Sequence, residues 1–247
     1  MFQLKQASAA LLLAAATTAS AGTIYSNDFD GNEVLGTGIT TSGFTTTATE
    51  VAATGYAPDW SGNYLVNRSK GNPATPSSIT LNNLGLHSEV SFGFSLGLLE
   101  SWDGPNKWGP DSLDFYVDGG WVGSILHSHS TNTTGTSYPT GITFLAQNAE
   151  INSNMGWSDT LIDMTGASFL TGLAHSASSL TLSIVASGVN WQGGNDEAWG
   201  IDNFVVSYDG QQGVITDISA VPLPAAAWLF LTALGGLAGF SRFKKQA

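Results

Sequence analysis

The stretch LLESWDGPNKWGPDSLDFYVDG, Leu98 to Gly119, holds the densest set of groups in this chain that could do chemistry. Glu100, Asp103, Asp111, Asp114 and Asp118 supply carboxylates, with Trp102 and Trp108 between them. A second cluster, GGNDEAWGIDNF from Gly193 to Phe204, adds Asp196, Glu197, Asp202 and Asn203. A third, SNDFDGNE, carries Asp28, Asp30 and Glu33 near the start. Carboxylate and amide oxygens delivered by loops are what a calcium ion needs, and calcium accepts them without a strict motif. The expected structural calcium ligands are Asp103, Asp111 and Asp114, followed by Glu197 and Asp202. The competing reading is that these acids cap turns and stay solvated. DFDGNE is too short for an EF-hand loop. If the first and last strands pair, Asp28 comes close to Asp202.

The same acids invite a hydrolase reading, because glycosidic cleavage uses two carboxylates about 5–9.5 Å apart. With so many acids available, a pair by itself discriminates nothing. No alternating Glu-x-Asp-x-Glu strand occurs. His127 and His129, two apart in a Ser/Thr-rich segment, share a face if extended and could ligate a metal or simply be polar surface. Trp60, Trp102, Trp108 and Trp191 lie in turn-rich segments and could stack on sugar rings, a weak ligand-binding expectation held chiefly for Trp102, Trp108 and Trp191. Trp121 and Trp199 lie in strand-like runs and are expected in the core.

All 19 acidic residues fall between Asp28 and Asp217, a span in which Arg68, Lys70 and Lys107 are the basic residues. Such a surface repels phosphate backbones, which excludes nucleic acid as a partner. The chain has no cysteine, so disulfides, Cys-based redox motifs and Cys/His zinc sites are excluded.

These residues must be positioned by strands. Val90, Phe92, Phe94 and Leu96 alternate with Ser91, Gly93 and Ser95, and Leu180, Leu182 and Ile184 alternate with Thr181 and Ser183. Period-two patterning of this kind predicts strands with one buried face. Strands are expected at 78–84, 89–99, 112–117, 121–126, 141–147, 179–186 and 199–208, with exposed strand and loop in 37–54. Asp118-Gly119 between two such runs predicts a hairpin. Many short strands with frequent turns predict an all-β fold, a β-sandwich or jelly roll.

The two ends are different. Residues 1–21 join Lys5, an apolar run from Ala9 to Ala16, and Ala19-Ser20-Ala21, the parts of a cleavable N-terminal signal peptide. The passenger domain is then expected over 22–209, with a linker at 210–220 and a tail at 221–247. The tail opens on Val221-Pro222-Leu223-Pro224-Ala225, which blocks a preceding helix. An uncharged run from Ala225 to Phe240 follows, then Arg242, Lys244 and Lys245. At ~1.5 Å per residue, that run reaches roughly 24 Å as a helix, enough to span a bilayer with help from its flanks. The terminal basic residues would place the C-terminus in the cytoplasm.

VPLPAAAWLFLTALGGLAGFSRFKK resembles the PEP-CTERM sorting tail in its VPLPA-type variant. Leu223 stands where the parent Pro-Glu-Pro motif has glutamate, and Phe243 interrupts the basic cluster. The resemblance implies a single C-terminal transmembrane sorting helix, recognised in Gram-negative bacteria by an exosortase that cuts near Val221–Ala225. Such proteins belong to bacteria that make exopolysaccharide and biofilm. The segment from Ser101 to Val117 and the run WGIDN, Trp199 to Asn203, resemble jelly-roll passengers found upstream of such tails, a group with no settled activity to carry over.

These observations imply an exported bacterial protein, anchored transiently in the inner membrane and then placed on the cell surface or in the extracellular matrix. It is expected to be non-catalytic and to bind polysaccharide, with structural calcium. Two alternatives stay open: a secreted glycoside hydrolase, and a purely structural surface protein.

Overall fold

The computed structural model describes residues 22–29, 39–46, 60, 62–105, 108–129, 135–149 and 159–209. The expected signal peptide, linker and sorting tail lie outside the described residues, as do Asp30 and Glu33. Among the described residues there is no helix, and thirteen strands form two antiparallel sheets.

The larger sheet is built on two long strands, β6 (Glu89–Glu100) and β13 (Glu197–Tyr208), which run antiparallel from Glu197↔Glu100 to Tyr208↔Val90. Beyond β13, β4 (Leu65–Asn67) pairs at Trp199–Ile201 and β1 (Gly22–Asn27) pairs at Phe204–Tyr208. β3 (Thr45–Thr46) flanks β4. On the other side, β10 (Asp159–Asp163) and β11 (Leu173–Ala174) pair with β6, and β9 (Thr143–Ala149) closes that edge. The smaller sheet has the order β2 (Ile39–Ser42), β5 (Ser77–Asn82), β12 (Ser179–Gly188), β7 (Asp111–Val117) and β8 (Gly120–His127).

The period-two patterns place the core between the sheets. Phe92, Phe94, Leu96 and Leu98 from β6 and Trp199, Ile201, Phe204 and Val206 from β13 meet Leu113 and Phe115 from β7 and Leu180, Leu182 and Ile184 from β12, all essentially inaccessible. Phe94 stacks with Phe115 across the sheets at 6.4 Å between ring centroids. Deleting one such aromatic side chain costs about 3–5 kcal/mol through lost transfer energy and the cavity left behind.

The outer face of the larger sheet is covered as well. Gly97 and Gly200 are register partners, and a Cβ on either would meet the rings of Trp60 or Tyr64 at under 3 Å. The paired glycines form a shallow seat for those rings. Trp60 is therefore 1% exposed, which corrects the expectation that it stacks on sugar.

The seven expected strands are all present, each extended or shifted by a few residues. The Asp118-Gly119 turn has φ of 49° and 81°, as a two-residue hairpin with both central residues left-handed requires. β2 and β3 fall within 37–54, where exposed strand and loop were expected, while β1, β4, β10 and β11 are additional.

Candidate functional site

Three of the five expected metal ligands converge. Side-chain oxygens of Asp103, Asp111 and Glu197 all lie within 4.8 Å of one another. Asp111 opens β7 in the smaller sheet and Glu197 opens β13 in the larger one, while Asp103 follows the end of β6. The group thus sits at one end of the sandwich, where the sheets meet. Asp111 and Glu197 are fully buried.

The local chain fixes each carboxylate by one oxygen. Asp111 Oδ2 accepts the Asp103 backbone N–H at 2.5 Å. Glu197 Oε2 accepts Gln192 N–H at 2.5 Å and Gly193 N–H at 3.3 Å. The other two oxygens, Asp111 Oδ1 and Glu197 Oε1, are buried and accept no hydrogen bond. Asp111 Oδ1 has room because residue 188 is glycine: a Cβ there would lie 2.1 Å from it. Burial, with the neighbouring carboxylates adding to it, pushes the Asp111 carboxyl up to about 8. Burial also pushes the Glu197 carboxyl upward, against the lowering effect of its backbone donors.

Asp114 and Asp202 do not join this group, for reasons of strand geometry. Asp111 and Leu113 face inward on β7, so Asp114 faces outward. On β13, Glu197, Trp199 and Ile201 face the core, so Asp202 faces the opposite side, where its carboxylate accepts Asn203 N–H at 2.6 Å. Both calcium assignments are corrected. As expected from end-strand pairing, β1 pairs β13, and Asp28 lines an open cleft of about 380 Å³ with Ser26, Asn27, Asn203, Phe204 and Val205.

Trp102 and Trp191 underlie the triad rather than face solvent. Trp102 is fully buried and donates its indole N–H to Ala198 O at 2.8 Å; it meets Trp191 edge-on at 5.0 Å, and Trp191 donates to Ser69 O at 3.0 Å. Each tryptophan is adjacent in sequence to a residue that shapes the triad: Asp103 in one case, Gln192 in the other. The sugar-stacking expectation for both is corrected, since polar loop sequence around them hid their burial. His127 and His129 are likewise engaged elsewhere. His127 Nδ1 pairs with Tyr138 Oη at 2.6 Å, and burial pushes its ring down to about 3. His129 Nδ1 lies 2.7 Å from Trp102 O.

The exposed aromatics are elsewhere. Trp108, in the loop before β7, is 52% exposed, and Trp121 on β8 is 61% exposed, contrary to its expected core position. A register shift between Phe115 and Tyr116 sets Trp121 opposite Tyr116 on the outer face of the smaller sheet. Asp114 sits on the same face, where the Trp121 indole and the Ser187 hydroxyl act to lower its carboxyl. Burial nevertheless raises the Asp114 carboxyl, that being the larger effect. Around them runs a ladder of hydroxyls, joined across strands as Ser112–Ser187 (2.8 Å), Ser78–Ser183 (2.7 Å) and Thr80–Thr181 (2.9 Å). None of the five strands contains Lys or Arg.

At the other end of the sandwich a polar relay joins three turns. His87 Nδ1 lies 2.6 Å from Gly85 O, His87 Nε2 lies 2.6 Å from His175 Nδ1, and His175 Nε2 lies 3.0 Å from Asp118 Oδ2. Tyr208 stacks on the His87 ring at 4.9 Å. Nothing in the sequence pairs His87 with His175, which are far apart in the chain.

No family model matches this chain, and no curated protein matches it. Solved structures do. The chain is similar to the mannan-recognising carbohydrate-binding module TmCBM27, at 13% identity over 77% of this chain and 99% of that one, with a TM-score of 0.35. It is similar to the C-terminal CBM6 of the laminarinase LamC from Zobellia galactanivorans, at 13% identity over 75% and 92%, with a TM-score of 0.26. It is also similar to the catalytic domain of a GH87 α-1,3-glucanase in complex with nigerose, at 15% identity, covering 76% of this chain and 28% of that one, with a TM-score of 0.32.

Proposed function

We propose that this chain is an exported, non-catalytic surface or matrix protein whose β-sandwich binds polysaccharide. One observation carries the reading: the outer face of the smaller sheet presents Trp121, exposed beside Tyr116, within a field of Ser and Thr hydroxyls. An indole offers a sugar ring a broad apolar face, and its fixed geometry loses little conformational entropy on binding. Hydroxyls on neighbouring strands supply donors and acceptors along an extended chain.

The face has one outward carboxylate, Asp114, and no basic residue in its strands. That balance favours an uncharged polysaccharide over an acidic one. The non-catalytic part of the reading is supported by Asp111 and Glu197, two of the three converging carboxylates, being fully buried. A glycosidic bond cannot be flanked by groups it cannot reach. The tail's resemblance to PEP-CTERM sorting signals supports export, transient membrane anchoring and processing by an exosortase.

The test is affinity electrophoresis of the full-length protein through gels containing mannan, a β-1,3-glucan or polygalacturonate, with a parallel assay for released reducing ends. Retardation by a neutral polymer without new reducing ends is expected. Reducing-end release would favour the hydrolase reading, and no retardation in any gel would leave a purely structural surface protein.

A further inference from the structure

The geometry points to a divalent-cation site, of calcium's kind, at Asp103, Asp111 and Glu197, joining the two sheets at one end of the sandwich. The donors are all carboxylate oxygens, the set preferred by hard cations and not by zinc or copper. Oxygens bound to one calcium at about 2.3–2.6 Å can stand no more than about 4.6–5.2 Å apart. The three carboxylates fall within that limit at 4.8 Å.

The independent observation is the state of the two buried oxygens. Asp111 Oδ1 and Glu197 Oε1 have no donor, in a protein whose second carboxylate oxygens at the same residues are well served by backbone N–H groups. Buried charged oxygens left without a partner are costly, and like carboxylates together are costlier still. A cation removes both penalties at once. Asp103, less buried than its two partners, is the side from which an ion and its waters would enter. Gly188 keeps the position of Asp111 Oδ1 open.

The site has a structural consequence. β7 starts at Asp111, and three residues later its outer face begins to carry Asp114 and then Tyr116. A cation that fixes the start of β7 to the start of β13 also fixes the strand bearing half of the aromatic platform. Calcium binding and order at that outer face are therefore linked.

Two readouts test the site with the full-length protein. Thermal unfolding in chelator is compared with unfolding in calcium at about 100-fold above its Kd, where Tm is expected to rise by about 5 °C or more. Terbium, which occupies calcium sites, is expected to show emission sensitised by the nearby Trp102 and Trp191 and displaced by calcium. Asp111→Asn is expected to abolish both effects, whereas Asp114→Asn and Asp202→Asn keep both. If Asp111→Asn does not fold, the terbium signal of the parent and its retention in the two control variants still decide the matter. An unchanged Tm together with no calcium-displaceable emission would overturn the proposal. So would a response lost in the Asp114 or Asp202 variants and kept in Asp111→Asn.

Discussion

Asp111 and Glu197 each open a strand, in different sheets, and their carboxylates meet at the same end of the sandwich with both residues fully shielded from solvent. They lie 86 positions apart in the chain, and the fold closes that gap through β12, which pairs β7, and the loop that runs on from β12 to β13. The residue opposite Asp111 on β12 is Gly188.

Replacing Gly188 with alanine is the smallest change that should disturb this meeting. The added Cβ would fall 2.1 Å from Asp111 Oδ1, so the carboxylate or the strand must move. Overpacking of this kind costs about 1–3 kcal/mol. Urea unfolding is expected to show that loss, and the thermal response to calcium is expected to disappear with it. Unchanged stability and an intact calcium response would mean that Asp111 Oδ1 is not where the function needs it.

Trp121→Ala removes the exposed indole from the outer face. Because the side chain is 61% exposed, unfolding temperature should change little. Binding to a neutral polysaccharide should fall by roughly tenfold or more, the effect expected for an aromatic anchor. Trp102→Ala should do the reverse, since its ring is fully buried: a loss of about 3–5 kcal/mol in stability, measured by chemical unfolding.

His87 and His175 tie the loop before β6 to the loop before β12, and Asp118 extends the tie to the β7–β8 turn. His175→Ala is expected to cost about 1–2 kcal/mol in urea unfolding, the scale of a lost hydrogen bond and an unpaired neighbour. The calcium response, at the other end of the sandwich, should be unaffected.

Asp209 gives a pH dependence with a definite sign. Hydrogen bonds from the Ser88 hydroxyl and from the Ser88 and Glu89 N–H groups lower its carboxyl to about 2. A lowered carboxyl contributes stability above its unfolded value near 4 and loses it as pH falls from there toward 2. The wild-type protein should therefore lose stability across that window more steeply than Asp209→Asn, as followed by acid titration of intrinsic fluorescence.

Where alternation was clean, sequence and structure agree. Val90 to Leu96 and Leu180 to Ile184 alternate because each strand has one face in the core, and β6 and β12 follow. β10 shows no such alternation, because Thr160, Leu161 and Ile162 are all buried, and a five-residue strand covered on both sides carries no period-two signal. The convergence of carboxylates was only partly legible. Asp103, Asp111 and Asp114 look equivalent in sequence, yet Asp114 lies an odd number of residues, three, beyond Asp111 on β7 and so falls on the opposite face. Trp121 was misplaced for a related reason: the register shift after Phe115 turns it outward, and a bulge leaves no mark in residue composition.

On the proposed reading, the outer face of the smaller sheet binds an uncharged polysaccharide through Trp121. The most direct measurement is affinity electrophoresis of the full-length wild type and Trp121→Ala in calcium, through gels containing mannan, β-1,3-glucan or polygalacturonate. Retardation of the wild type in at least one neutral gel, absent in polygalacturonate and lost in the variant, is the predicted result. Retardation that persists unchanged in Trp121→Ala, or appears only in the acidic gel, would contradict the account.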